Sequence, residues 1–286
     1  MNPQAFQSLI EKYQHEYQLP ALAVNLFTST EIVLQTAVGV RKWGENTAVT
    51  LNDHFHIGSC AKAMTTSVIA SLVEDKQLQW LTTTSQAFPQ LDTIHPKLQN
   101  VTIKQLLRHM AGLQPYEEDE EFEGLPEMSN DPVTQRHQFT AHVLSQPPVI
   151  EPNSEFKYSN AGYCVATAMF ESMTGQSWED LMQERIFIPL QLDAGFGWPA
   201  KSDPYQPWGH QIVNDKINPH DPNDGYELPP SIAPAGDVYV NFHDYPRWLQ
   251  ANLLGLRGQP TILQPESIQF LHTKKDGAHG LRWGIR

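Results

Sequence analysis

The sequence predicts a mixed α/β (α+β) fold: an antiparallel sheet flanked by helices, built from both chain ends, with a mainly helical part inserted between them. Three observations carry the prediction. A helix followed by two alternating apolar runs opens the chain, helical periodicity dominates from about 60 to 190, and a strand-like run closes it. The 286 residues, 40% hydrophobic and 10% aromatic, suffice for one sizeable core. We expect a single domain over 1–286, its sheet-containing part at about 1–58 and 237–286. The mainly helical part and its loops take up about 59–236.

Phe6, Leu9, Ile10, Tyr13 and Tyr17 recur at helical spacing, so an amphipathic helix opens the chain. Leu22, Val24 and Leu26 then alternate, Thr28-Ser29-Thr30 makes a turn, and Ile32 to Val40 is rich in β formers, which reads as a hairpin. Gly58 precedes a long apolar helix carrying Met64, Val68, Ile69, Leu72 and Val73. Thr102 and Gln105 form a capping box ahead of Leu106 and Leu107. Further helices are expected at Tyr163–Met173 and Trp178–Ile186. Eight prolines between about 196 and 236 forbid long helices, and that stretch reads as loop. Helices around Tyr245–Leu254 and Pro265–His272 follow, then the strand-like Gly280–Ile285.

A formal net charge of −13 leaves no basic stripe to neutralise phosphates, which argues against nucleic acid. No stretch approaches a membrane span, and the first twenty residues lack the apolar core of a secretory signal, so a cytoplasmic location is expected. Two cysteines, Cys60 and Cys164, are too few for a disulfide framework and read as buried thiols. The acidic run Glu117 to Glu123 reads as a solvated loop; beside a pocket mouth it would disfavour anionic substrates. His54 and His56 share a strand face, but no cluster completes a metal site around them. Asp221 to Gly225 lacks the spacing and closing Glu of a calcium loop. No cofactor or metal is called for.

Ser59 and Lys62 stand one helical turn apart. A serine hydroxyl needs a neighbouring base to become a nucleophile, and a buried lysine can be that base. At the head of an apolar helix, backbone N–H groups also favour developing negative charge. The S-x-x-K pattern is weak alone, since Ser154 to Lys157 repeats it in a Pro-Asn turn with no apolar helix directly behind. Tyr158-Ser159-Asn160 adds a hydroxyl that can pass a proton to a leaving group and an amide that can hold a substrate carbonyl. Tyr239-Val240-Asn241 repeats that pattern too, so specificity comes from the two motifs together.

On these residues the sequence resembles the serine β-lactamase and penicillin-binding protein family, in its class C β-lactamase, DD-peptidase and family VIII esterase branch. The matching stretches are FHIGSCAKAMTTSVIASLVE, VTIKQLLRHMAGL, FKYSNAGY, APAGDVYVNFHDYPRWLQ and GLRWGI. The resemblance implies a β-lactamase/DD-peptidase-like fold and a covalent acyl-enzyme at Ser59. Lys62 would be the base, Tyr158 a second proton-handling group and Asn160 a substrate-orienting amide. His109 and Gly112 would be structural. The substrate would be a small ester, amide or β-lactam.

One departure stands out. The family's third motif, Lys or His, then Thr or Ser, then Gly, normally follows the strand that GLRWGI resembles, and the sequence ends first. Lys275-Asp276-Gly277 lies upstream of that strand and reads as coincidence, as does His56-Ile57-Gly58, the run into the nucleophile. The motif's strand gives one of two oxyanion donors, and losing one costs roughly 10²–10³ in rate. The expectation is therefore a truncated enzyme, weakly active or inactive alone, without its C-terminal sheet strands. The alternative is a catalytically inactive binding or scaffold protein.

Overall fold

Asn2 caps the first helix, α1 (Pro3–Glu16), by accepting the Ala5 N–H at 2.8 Å, and proline at the first helical position costs no hydrogen bond. The computed structural model describes residues 2–224 and 228–273, so Lys275-Asp276-Gly277 and Gly280–Ile285 lie outside the described residues. Phe6 and Ile10 are the buried apolar positions of α1, whereas Tyr13 and Tyr17 are 42% and 64% exposed. The buried stripe is thus narrower than the sequence spacing predicts. It covers the predicted hairpin of β1 (Ala21–Phe27) and β2 (Ile32–Gly39), paired antiparallel from Ala21↔Gly39 onward.

The strand β3 (His54–His56) leads into a 3₁₀ turn, Gly58–Cys60, and then α2 (Ala61–Glu74). Every residue from Ala61 to Leu72 is buried, so α2 is enclosed on all sides; its apolar residues fill the core, and its polar ones, Lys62, Thr65, Thr66, Ser67 and Ser71, are hydrogen-bonded. Two short helices, α3 (Thr84–Ala87) and α4 (Ile103–Leu107), both start with reciprocal capping boxes, Thr83/Gln86 and the predicted Thr102/Gln105. The longer α5 (Pro132–Ser145) and α6 (Asn160–Thr174) pack on each other; Gly175, in the left-handed region, ends α6.

The helix expected at Trp178–Ile186 is instead α7 (Trp178–Met182), a π turn (Gln183–Phe187) and α8 (Ile188–Leu190). Pro189 has no N–H to give the carbonyl four residues back, which favours the wider turn. After β4 (Ala194–Phe196) and the short α9 (Pro199–Ser202), the stretch read as loop contains a hairpin, β5 (Gly209–Val213) and β6 (Lys216–His220). Its two turn residues, Asn214 and Asp215, have φ of 51° and 58°, the double positive φ of a tight hairpin turn. Prolines exclude long helices there but not a two-stranded ribbon, where Pro219 sits opposite His210. The described chain ends with β7 (Val238–Asn241), α10 (Tyr245–Leu256) and α11 (Pro265–His272).

Among the described residues the strands form three sheets in the orders β1-β2, β3-β7-β4 and β5-β6. One large core spans α2, α4, α5, α6, α7 and the 232–240 segment, and a small cluster of Phe6, Ile10 and Val38 lies under the hairpin. Among the described residues no helix is long and apolar enough to cross a membrane, and no group of three potential ligands is placed to hold a metal.

Candidate active site

Ser59 sits in the turn between β3 and α2, exposed, while Lys62 one turn later is fully buried. Gly58 takes φ +50°, a value that turns the chain from strand to helix without a Cβ penalty. The Ile57 N–H donates to the Val238 carbonyl at 2.9 Å and ties the approach to β7. His56 Nδ1 accepts the Gly58 N–H at 3.3 Å, leaving its Nε2 to donate to Asp237 Oδ1 at 3.1 Å; the ring stacks on Trp198. His56 and its counterpart His54, which faces Asp193 at 3.0 Å, are paired with carboxylates, in keeping with their structural reading.

Lys62 Nζ donates to Ser59 Oγ at 2.9 Å and to the Ala235 carbonyl at 2.5 Å. Ser59 Oγ also lies 2.8 Å from Tyr158 Oη. The sequence-predicted trio therefore converges on one oxygen. Lys62 Nζ stands 5.0 Å from the Tyr158 ring centre and 5.5 Å from that of Tyr163, so an aromatic wall backs the amine.

Asn160, the first residue of α6, joins the site by another route. Its Nδ2 donates to the Tyr116 carbonyl at 2.8 Å, its backbone N–H to the Pro115 carbonyl at 2.8 Å, and Ser159 Oγ to the Gln114 carbonyl at 2.8 Å. Three consecutive carbonyls thus anchor the 114–116 segment to the second motif, and the acidic run starts at the next residue. Within that run Glu121 accepts the backbone N–H groups of Glu117 and Glu118, and Asp119 lines a cavity with Trp198, His210 and His220. Gly112 has φ +73°, and a Cβ there would collide with the Ile150 carbonyl, which fixes the start of the same segment.

The Ala235 carbonyl is itself held in place. Thr65 Oγ1 donates to the preceding Pro234 carbonyl at 2.8 Å and accepts the Trp178 Nε1–H at 3.0 Å. The Ser231 N–H donates to Gln135 Oε1, and Arg136 reaches the Pro230 carbonyl. Arg136 is fully buried and ion-paired to Glu171 at 2.6 Å and Glu179 at 2.8 Å. Burial opposes its charge, but the hydrogen bonds and charges of the two carboxylates outweigh burial and push its pKa up.

The pattern repeats fall away. Ser154 Oγ donates to the Glu151 carbonyl in an exposed turn, and Tyr239-Val240-Asn241 is the strand β7, with Asn241 Nδ2 on the Asn52 carbonyl. Cys164 is buried, and burial pushes its thiol up to about 12. Cys60 is exposed, against the sequence reading, because it closes the turn beside Ser59. Sequence reasoning missed Ala235, Thr65 and Gln114–Tyr116. Most act through backbone carbonyls, which leave no side-chain signature.

Similarity to known proteins follows the same lines. A sequence model of the family described as Beta-lactamase matches residues 6–284. The chain is 25% identical over 249 residues to a penicillin-binding protein 4 of Amycolatopsis lactamdurans, covering 87% of this chain and 63% of that one. It is 28% identical over 234 residues to an unguisins hydrolase of Aspergillus campestris, covering 77% and 41%. Among solved structures, the octameric penicillin-binding protein homologue from Pyrococcus abyssi superposes with a TM-score of 0.75 at 20% identity, over 96% of this chain and 60% of that one. The chain thus spans less than two thirds of the length of each of these proteins.

Proposed function

The chain belongs to the beta-lactamase family, and from that premise we propose that it is a serine hydrolase of small esters or amides, working through an acyl-enzyme at Ser59. The observation that carries this reading is the convergence of Lys62 Nζ and Tyr158 Oη on Ser59 Oγ at 2.9 and 2.8 Å. Lys62 Nζ, fully buried and 2.9 Å from Ser59 Oγ, is placed to take the serine proton as a general base. Ser59 Oγ attacks the carbonyl carbon as its proton passes to Lys62. The negative charge on the carbonyl oxygen faces the Ser59 N–H at the head of α2. Collapse of that intermediate breaks the bond to the leaving group, which takes a proton through Tyr158. Water, deprotonated by the same groups, then cleaves the Ser59 ester and restores the hydroxyl.

Asn160 keeps the segment 114–116 against the site through its amide N–H, and orients substrate by way of that segment. The acidic run that follows selects against anionic acyl groups, a reading supported by its attachment to the second motif.

The test is covalent labelling followed by intact-mass measurement, with a fluorophosphonate and a penicillin, beside hydrolysis of a chromogenic ester. One adduct per chain, on Ser59 and absent from Ser59→Ala, is expected. A folded wild-type chain that takes up neither label and hydrolyses no ester above the Ser59→Ala level would sink the proposal in favour of a binding protein.

A further inference from the structure

Tyr158 occupies an awkward position for a residue whose hydroxyl must stay within 2.8 Å of Ser59. Residues 156–159 belong to no helix or strand, and Tyr158 precedes the cap of α6. No ladder of backbone hydrogen bonds fixes it from within. A single residue from elsewhere in the sequence, His109, does so on three consecutive residues through its carbonyl and its ring. The His109 carbonyl accepts the Lys157 N–H at 2.8 Å. Its ring stacks on the Tyr158 ring, with centres 4.6 Å apart and planes 28° apart. Its Nδ1 accepts the Ser159 N–H at 3.0 Å.

His109 reaches all three from a strained backbone. It is 3% exposed and has φ of +58°, in the left-handed region that few residues other than glycine adopt. That conformation, at the end of α4, turns the ring toward Tyr158 while leaving the carbonyl for Lys157. Strain of this kind persists where the surroundings over-determine it. Because Nδ1 accepts, the ring proton sits on Nε2. The same ring lies 5.4 Å from that of Tyr163, whose hydroxyl donates to the Leu107 carbonyl and whose face lies by Lys62.

We propose that His109 is the positioning residue of Tyr158, setting the height and tilt of its phenol against Ser59 Oγ. This rests on the role given above to Tyr158. A displacement near 1 Å at a reacting group costs about 10²-fold in rate. His109→Phe keeps a flat ring for the stack and removes the acceptor. His109→Asn tolerates positive φ and offers an acceptor, but removes the ring.

The decisive experiment measures the rate of Ser59 acylation by an activated ester in a double-mutant cycle with Tyr158→Phe. Each His109 variant is expected to slow acylation about 10–100-fold with ester affinity unchanged, and to have less than about a twofold effect once the Tyr158 hydroxyl is gone. A loss that persists in full in the Tyr158→Phe background would overturn the proposal, because a residue serving only the fold acts with or without that hydroxyl. Amide hydrogen exchange at Ser159 supplies a readout independent of turnover. Exchange should accelerate at least tenfold in His109→Phe and recover toward wild type in His109→Asn; an unchanged rate in both also overturns it. If the wild-type chain takes no label at Ser59, the catalytic reading falls, and exchange at Ser159 with the Tyr158 ring resonances still decides the positioning.

Discussion

Around α2 and α6 the polar side chains of Lys62, Thr65, Arg136 and Glu171 are buried and gripped from several sides, whereas around α1, β1 and β2 three buried apolar side chains hold a mostly half-exposed hairpin. The two regions treat charge differently as well. Arg136, in the helical region, is fully buried between two carboxylates and reaches the segment that presents Ala235. Arg41, beside the hairpin, has a 23% exposed side chain and pairs with Asp53 at 2.7 Å, where Thr50 already supplies two further donors. Polar groups left unpaired in the first setting have no water to turn to; in the second, water substitutes in part. The supports of Lys62 and of the Ala235 carbonyl therefore lie where errors are expensive to the fold.

The contrast can be broken by substitution. Arg136→Met should destabilise the chain by about 3–5 kcal/mol, because it leaves buried carboxylates without their partner. Denaturant unfolding would measure this, and a loss below about 1 kcal/mol would show that the ion cluster is not a keystone of the helical region. Ile10→Ala, under the hairpin, should cost about 2–3 kcal/mol, the lower part of the usual range, since a thin cluster can collapse into the space. A larger loss than that of Arg136→Met would reverse the comparison. Arg41→Met should cost about 1–2 kcal/mol, Asp53 keeping its bonds from Thr50. The effect that vanishes at neutral pH concerns acid. Burial pushes His272 down to about 4, from an ordinary value near 6.5. The unfolded chain then binds a proton that the folded chain refuses, so this contribution is complete above about pH 6.5 and is lost as pH falls toward 4. His272→Gln should flatten the fall in melting temperature across that window, and parallel curves for the two proteins would refute the assignment.

What the sequence made legible follows from how local each signal is. Ser59 and Lys62 lie one turn apart, and the apolar residues behind them distinguish that turn from Ser154–Lys157. The Thr102/Gln105 box and the N-terminal hairpin are equally local, and all are in place. The β5-β6 ribbon was hidden because prolines on either side mask a two-residue Asn-Asp turn. Tyr13 and Tyr17 have helical spacing but face outward, since periodicity cannot say how wide a buried stripe is. The largest omission is the 230–236 segment. It acts through the carbonyls of Pro230, Pro234 and Ala235, and every residue type offers a carbonyl.

The contact between Lys62 and the Ala235 carbonyl joins positions 173 residues apart, and that between Ser59 and Tyr158 joins positions 99 apart. Contacts of such sequence separation form late, after the loops between them have closed. During folding, α2 can acquire its helical turns while Ser59 still has an ordinary alcohol's reactivity. In the reaction proposed above, Ser59 gains these partners only when contacts 99 and 173 residues apart in sequence have formed, so uptake of a covalent label at Ser59 would time a late step of folding rather than the first.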